Sequence, residues 1–142
     1  MKINLTFDGG AAPNPGKAYG SFLAEGNGPN NLKFEVRGKR IQFGDRLTNN
    51  QAEWLALITG LKQVLVALNG EHYGQPFGGP RAIHLMLRSD SRLVILQLRR
   101  RYKCKVAHLL ELREAADKLL EEFGGWHAEW HPRRKSVALF GH

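Results

Sequence analysis

The sequence predicts an α/β protein, a mixed sheet flanked by helices, in one domain spanning residues 1–142. Three observations carry that expectation. Alternation of apolar and polar residues dominates the chain up to Phe43 and returns only in two later segments. Two long segments instead repeat apolar residues every three or four positions. The order is three strands, helix, strand, helices, strand, which builds a layered sheet rather than a bundle or a sandwich.

The elements follow in order. "KINLTFDGG" places Ile3, Leu5 and Phe7 at a period of two, the mark of a half-buried strand, which is expected to end at Asp8 before Gly9 and Gly10. "AAPNPGKAYG" holds the Pro, Gly and Asn of a turn. "YGSFLAEG" and "LKFEVRGKRIQF" read as two further strands, joined by a hairpin at "GNGPNN", so the first three strands form an antiparallel meander. "LTNNQAEWLALITGLKQVLVALNG" is an amphipathic helix with Leu55, Ile58, Leu61, Leu65 and Leu68 as its buried stripe. Thr48 and Gln51 fit a capping box, Asn50 and Glu53 a looser version of it, and Gly70 is the stop. "EHYGQPFGGP" is a loop, "AIHLMLRSD" an apolar strand ending at Asp90, and "SRLVILQL" a short helix. After the basic run "RRRYKCK", a second long helix, "VAHLLELREAADKLLEEF", buries Leu109, Leu112, Ala116, Leu119 and Leu120. "WHAEWH" is the last strand, with Trp126 and Trp130 on one face and expected in the core.

Composition narrows the function. Twenty-one Lys and Arg stand against 13 Asp and Glu, a net charge of +8, with a pI near 10.0. Such a domain suits a polyanionic partner, nucleic acid above all. No apolar run approaches the roughly 20 residues of a membrane span. The start has no secretory apolar region, and the single Cys104 forms no internal disulfide, so a cytoplasmic protein with no membrane partner is expected.

Asp8 ends the first strand, Glu53 lies in the first turns of the first helix, and Asp90 ends the fourth strand. If strands one and four are parallel neighbours, their C-terminal ends adjoin, where open α/β sheets place ligands. Three carboxylates at one edge repel one another and resist ionisation, a penalty that divalent cations remove. Oxygen-only ligands favour Mg²⁺ or Mn²⁺ over Zn²⁺. Two such ions about 3.5–4 Å apart can activate a water and stabilise a leaving oxygen in phosphodiester cleavage. Each acid alone reads as an ordinary turn or helix-start residue; the motifs around them overturn that.

"DGGAAPNPGKAYGSF", "TNNQAE" and "RSDSRLVILQL", in this order and at these intervals, resemble ribonuclease H of type 1, enzymes that cut the RNA strand of RNA–DNA hybrids. "WHPR" resembles the Val-Pro-Arg that follows the last strand in a compact subgroup. The resemblance implies a ribonuclease H-like five-stranded mixed sheet, three strands antiparallel and the rest parallel, with helices on both faces. It implies that Asp8, Glu53 and Asp90 bind two Mg²⁺ or Mn²⁺ ions. It also implies that Asn14, Asn49 and Asn50, with backbone at Gly9 and Gly10, contact the RNA strand through its 2′-hydroxyls. Arg46 and Thr48 would lie near a DNA phosphate, and Arg133 joins the substrate-binding set. The run at residues 99–105 reads as a hybrid-binding edge. His72, His84, His108, His127 and His131 lack motif support, as does Cys104.

One feature departs from the family. Its fourth acid would fall at Phe140, and its preceding Asn at Ser136, in a helix cut off at His142. Between Trp130 and His142 there is no Asp or Glu. His142 is therefore expected to replace the missing acid as a metal-site and catalytic residue, with its own α-carboxylate or water as the alternatives. An imidazole there shifts preference toward Mn²⁺ and ties activity to an ionisation near about 6.5. The expected function is that of a monomeric hybrid-cutting endonuclease. A hybrid-binding module with a weakened site is the second reading, and a DNA-cutting relative the third.

Overall fold

Cross-strand pairing turns the three alternating segments into a meander: β1 (Lys2–Ala12), β2 (Gly16–Asn27) and β3 (Lys33–Leu47), each antiparallel to the next. The computed structural model describes residues 1–70, 72–100 and 106–142. β4 (His84–Ser89) runs parallel to β1, pairing Lys2 with His84 through to Thr6 with Arg88, and β5 (Gly125–Trp130) runs parallel to β4. The order β3-β2-β1-β4-β5 is the five-stranded mixed sheet that the sequence predicts.

The meander's boundaries differ from the reading of the sequence, with β2 already starting at Gly16. β1 does not stop at Asp8: the small residues Gly9 to Ala12 keep pairing with Gly20, Tyr19, Ala18 and Lys17, so Asp8 lies inside the strand, opposite Ser21. β3 extends past Phe43 to Leu47, and it does so irregularly, with Arg40 and Arg46 in the left-handed region at φ 51° and 60°.

α1 (Asn49–Leu68) starts at the capping box: Thr48 Oγ1 accepts from Gln51 N–H, and Gln51 Oε1 accepts from Thr48 N–H. Asn50 and Glu53 form no second box. α1 covers the apolar face of the sheet and is itself covered by α4 (Ala107–Leu120), so its buried stripe is wide. Trp54, Leu57, Leu61 and Leu68 meet Ile3, Leu5, Phe7, Phe22, Leu85 and Leu87 in one core, while Leu55 is only half-buried. α4 buries Leu109, Ala116 and Leu120, with Leu112 and Leu119 packed alongside. The predicted loop after α1 contains a helical turn, α2 (Gly74–Phe77), whose Phe77 is buried. α3 (Arg92–Leu98) is capped by Ser91, which accepts from Val94 N–H.

α5 (Arg133–Phe140) packs on the opposite face, burying Ser136 and Phe140 against the sheet and exposing Val137 and Leu139. Trp126 packs against the core as expected. Trp130 does not: it is 39% exposed at the end of β5. No helix is long and apolar enough to cross a membrane.

Candidate active site

The parallel pairing of β1 and β4 brings the predicted acids together. Asp8 projects from β1, Asp90 follows the end of β4, and Glu53 comes from the second turn of α1. One ligand oxygen of each lies within 4.8 Å of the others. Gly9 makes this approach possible. A Cβ on it would lie 2.4 Å from the backbone C and O of Ala52 and 2.6 Å from Glu53 N, far inside contact distance. Without that side chain α1 rests directly on β1, and Gly9 N–H donates to Glu53 Oε2 at 3.2 Å.

The cluster is buried: Asp8 is 1% exposed and Glu53 7%. Burial, then the charge of Asp90, raises the Asp8 pKa from 3.8 to about 7, against a smaller opposing effect of Arg133. Burial and the charges of Asp8 and Asp90 push Glu53 well above the ordinary carboxylate range. Among the described residues Asp8 Oδ1 and Asp90 Oδ2 are buried with no hydrogen-bond partner, and the guanidinium of Arg133 stands 3.7 Å from Asp90 Oδ2. Buried polar atoms are rarely left so. A divalent cation would satisfy both atoms and neutralise the repulsion, and an all-oxygen donor set suits a hard ion such as Mg²⁺ or Mn²⁺. The residues therefore fit a metal centre.

His142 reaches this cluster. Its Nδ1 is 3.0 Å from Asp8 Oδ2, and its Nε2 is 2.6 Å from Ser21 Oγ. Ser21 Oγ also accepts Arg40 N–H at 2.9 Å. The left-handed Gly141 (φ 76°) ends α5 and turns the chain back, and Tyr19 meets the imidazole edge-on. Burial, followed by the charges of Arg40, Arg133 and Lys39, lowers the His142 pKa and so disfavours the charged imidazolium. Phe140, at the position where the resemblance places a fourth acid, is buried.

The remaining predicted residues surround the cluster. Asn14 Oδ1 accepts Asn49 N–H at 3.0 Å and Asn49 Oδ1 accepts Ala11 N–H at 2.8 Å, tying the β1–β2 turn to the start of α1. Asn14, Thr48, Asn49 and Asn50 line one open groove, with His108 of α4 across from them. Gly10 lies beside Tyr19. Arg46 is exposed near the end of β3, and Arg133 stands over Asp90. Of the basic run, Arg99 Nε donates to the Ala128 carbonyl at 2.8 Å and Arg100 pairs with Asp117 at 2.8 Å; residues 101–105 lie outside the described residues.

Reading the sequence alone misses three supporting residues. Trp130 Nε1 donates to the Asp90 carbonyl at 2.9 Å, with the Arg92 guanidinium 4.2 Å from its ring centroid. Ser89 Oγ lies 3.5 Å from Glu53 Oε2, and Ser21 anchors His142. Ser89 adjoins Asp90 in "RSDS", which is a signal; Ser21 has none until β1 and β2 are put in register.

No family model matches the sequence. The chain is 33% identical over 138 residues to the bifunctional protein Rv2228c of Mycobacterium tuberculosis, and equally to an uncharacterised protein of Mycobacterium bovis. The match takes in 96% of this chain but spans only 33% of those curated relatives. Among solved structures, it superposes on the N-terminal RNase H domain of Rv2228c, fused to maltose-binding protein, with a TM-score of 0.74 and 28% identity, covering 96% of this chain and 92% of that one. RNase H1 of Halobacterium salinarum gives a TM-score of 0.71 at 26% identity over 95% and 89%. LC11-RNase H1, solved in complex with an RNA/DNA hybrid, gives 0.73 at 26% over 96% and 89%. In strand order and in superposition over nearly its whole length, the chain has the fold of these RNase H1 domains.

Proposed function

We propose that this chain is an endonuclease that hydrolyses the RNA strand of RNA–DNA hybrids, working as a single-domain monomer with two Mg²⁺ or Mn²⁺ ions. The observation that carries the reading is the convergence of Asp8, Glu53 and Asp90 within 4.8 Å, with buried oxygens left unpartnered. Bound there, two such ions would supply an activated water and stabilise the leaving oxygen. The protein's own work is positioning. Gly9 N–H holds Glu53, Trp130 holds the Asp90 backbone, and His142 braces Asp8 from the side where a fourth acid is missing. With Nδ1 protonated, His142 donates to Asp8; with Nδ1 bare, it offers a lone pair to the metal site in place of the acid. Asn14 and Asn49 spend their carbonyls on the backbone, so each presents its NH₂ donor to substrate. Asn50, Thr48, Gly9 and Gly10 flank the same path, where 2′-hydroxyls distinguish RNA from DNA, while Arg46 and Arg133 supply positive charge to phosphates. The hybrid bound to LC11-RNase H1 supports this substrate class.

The test is cleavage of a labelled hybrid, with Mg²⁺ and with Mn²⁺, by wild type and Asp90→Asn. Asp90→Asn should lose roughly 10²–10³-fold or more in rate and keep hybrid binding. An active Asp90→Asn protein would place the metal site elsewhere. A second reading, a hybrid-binding module with a weakened site, is favoured by Phe140 being buried where the acid is expected and by both ring nitrogens of His142 being engaged. Tight binding by wild type with no RNA products in either metal would select it.

A further inference from the structure

On the sheet face that α5 leaves open, two histidines from neighbouring strands face each other. His84 opens β4 and His127 lies on β5, with His84 Nε2 2.9 Å from His127 Nδ1 and ring centroids 5.1 Å apart. Register explains the approach. His84 pairs with Gly125, and a Cβ on Gly125 would lie 2.9 Å from His84 Nδ1. Glycine there leaves room for the ring to lie across β5 and reach His127. On the far side of His127, Glu129 Oε1 stands 4.0 Å from Nε2. The His127 side chain is 48% exposed, so water and ions reach it.

We infer that His84 and His127 form a surface site for a divalent transition metal that prefers imidazole, Ni²⁺ or Cu²⁺ ahead of Zn²⁺. Two nitrogens each about 2.05 Å from one ion and at right angles to it are ~2.9 Å apart, the spacing of neighbouring ligands in a tetragonal site; a tetrahedral ion needs them wider. Proton placement on two neutral imidazoles is free to leave both facing nitrogens bare. Glu129, 4.0 Å from the outer nitrogen of His127, is placed to draw in and orient that N–H once an ion holds the inner nitrogen, as carboxylates do in metal sites. Water fills the other positions. Mg²⁺ is a poor match for nitrogen donors. Five residues of strand separate His84 from Ser89, roughly 16 Å at about 3.3 Å each, so this site is separate from the carboxylate cluster. An ion here bridges β4 to β5 and stabilises the fold by linkage.

The experiment is calorimetric titration of NiCl₂ into untagged protein at pH 7.5, with Cu²⁺ paramagnetic resonance to count bound nitrogens. Wild type, Asp90→Asn and His142→Ala should share one Ni²⁺-binding event of equal affinity, distinct from whatever the carboxylate cluster takes up and Asp90→Asn removes. His84→Ala and His127→Ala should each weaken it at least about 10-fold, since a two-point attachment is reduced to one. Gly125→Ala should also weaken it, by displacing the His84 ring while keeping both imidazoles. Far-UV circular dichroism checks that each variant is folded. Wild-type affinity in His84→Ala, absence of binding by wild type, or weakening confined to Asp90→Asn and His142→Ala would each overturn the site, the last by moving the ion to the carboxylates.

Discussion

Asp8→Asn should stabilise the metal-free protein. In the fold Asp8 ionises at about 7 instead of 3.8, mainly because it is buried and then because Asp90 is beside it. A raised carboxyl pKa means that the folded state holds its proton more tightly than the unfolded chain does. The native state is therefore penalised as pH rises above about 4, and the penalty grows until the pH passes about 7. Taken alone, the shift costs about 4 kcal/mol at pH 8. Glu53 and Asp90 share the repulsion and Arg133 offsets part of it, so about 1–3 kcal/mol is the realistic gain on removing this one charge. Asparagine keeps the volume and a partner for His142. For a chain of this size the gain is a rise in Tm of roughly 3–10 °C. The assay is thermal unfolding in a chelator at pH 8 and pH 5. Asp8→Asn should melt higher at pH 8, with the advantage cut to about two-fifths at pH 5. Added Mn²⁺ should raise the wild-type Tm more than that of Asp8→Asn. A variant no more stable than wild type at pH 8, or an advantage equal at both pH values, would refute the argument that like-charge burial strains this site.

The other expectations are briefer. His142→Ala should slow hybrid cleavage by roughly 10–100-fold, the usual cost of losing a group that supports a metal site, and deletion of residues 141–142 should cost no less; equal rates in both metals would remove the imidazole from the site. Because burial and neighbouring cations lower the His142 pKa, any loss of rate from its protonation should appear below about 6.5, in a pH–rate profile that His142→Ala lacks. Gly9→Ala forces a methyl to within 2.4 Å of the Ala52 backbone, so it should destabilise by about 1–3 kcal/mol and weaken Mn²⁺ binding through the displaced Glu53, both read by chemical denaturation with and without metal. Alanine substitutions in the basic run should lower the salt dependence of hybrid binding by about one unit for each phosphate no longer neutralised. Arg99 and Arg100, already held by Ala128 and Asp117, should matter less than residues 101, 103 and 105; equal effects at all five would show that the internal hydrogen bonds yield to substrate.

The fold was legible where a local period reports a buried face. Ile3, Leu5 and Phe7 alternate because one side of β1 meets α1, and Thr48 with Gln51 marks the start of α1 because the box is local chemistry. Legibility failed where pairing overrides composition. The small residues after Asp8 look like the edge of a turn, yet β2 is there to pair with them, so β1 carries on to Ala12. Trp130 obeys the alternation that puts Trp126 in the core, but at the end of β5 it meets the Arg92 guanidinium at the start of α3, and its indole N–H finds the Asp90 carbonyl.

The site divides along the same line. Asp8, Glu53 and Asp90 could be named because each sits in a recognisable short motif, and their convergence required only that β1 and β4 be parallel neighbours. What braces them is not local. His142 meets Asp8 and Ser21 across more than a hundred residues, and that meeting depends on Ser21 standing opposite Asp8, on Gly141 reversing the chain, and on Phe140 burying where the family has an acid. These conditions act together. A buried Phe140 anchors α5 on the sheet, and the anchored helix delivers the His142 ring to Asp8. If His142 takes the fourth position as proposed, it brings an imidazole and no further carboxylate to a cluster where burial already pushes Asp8 and Glu53 toward protonation.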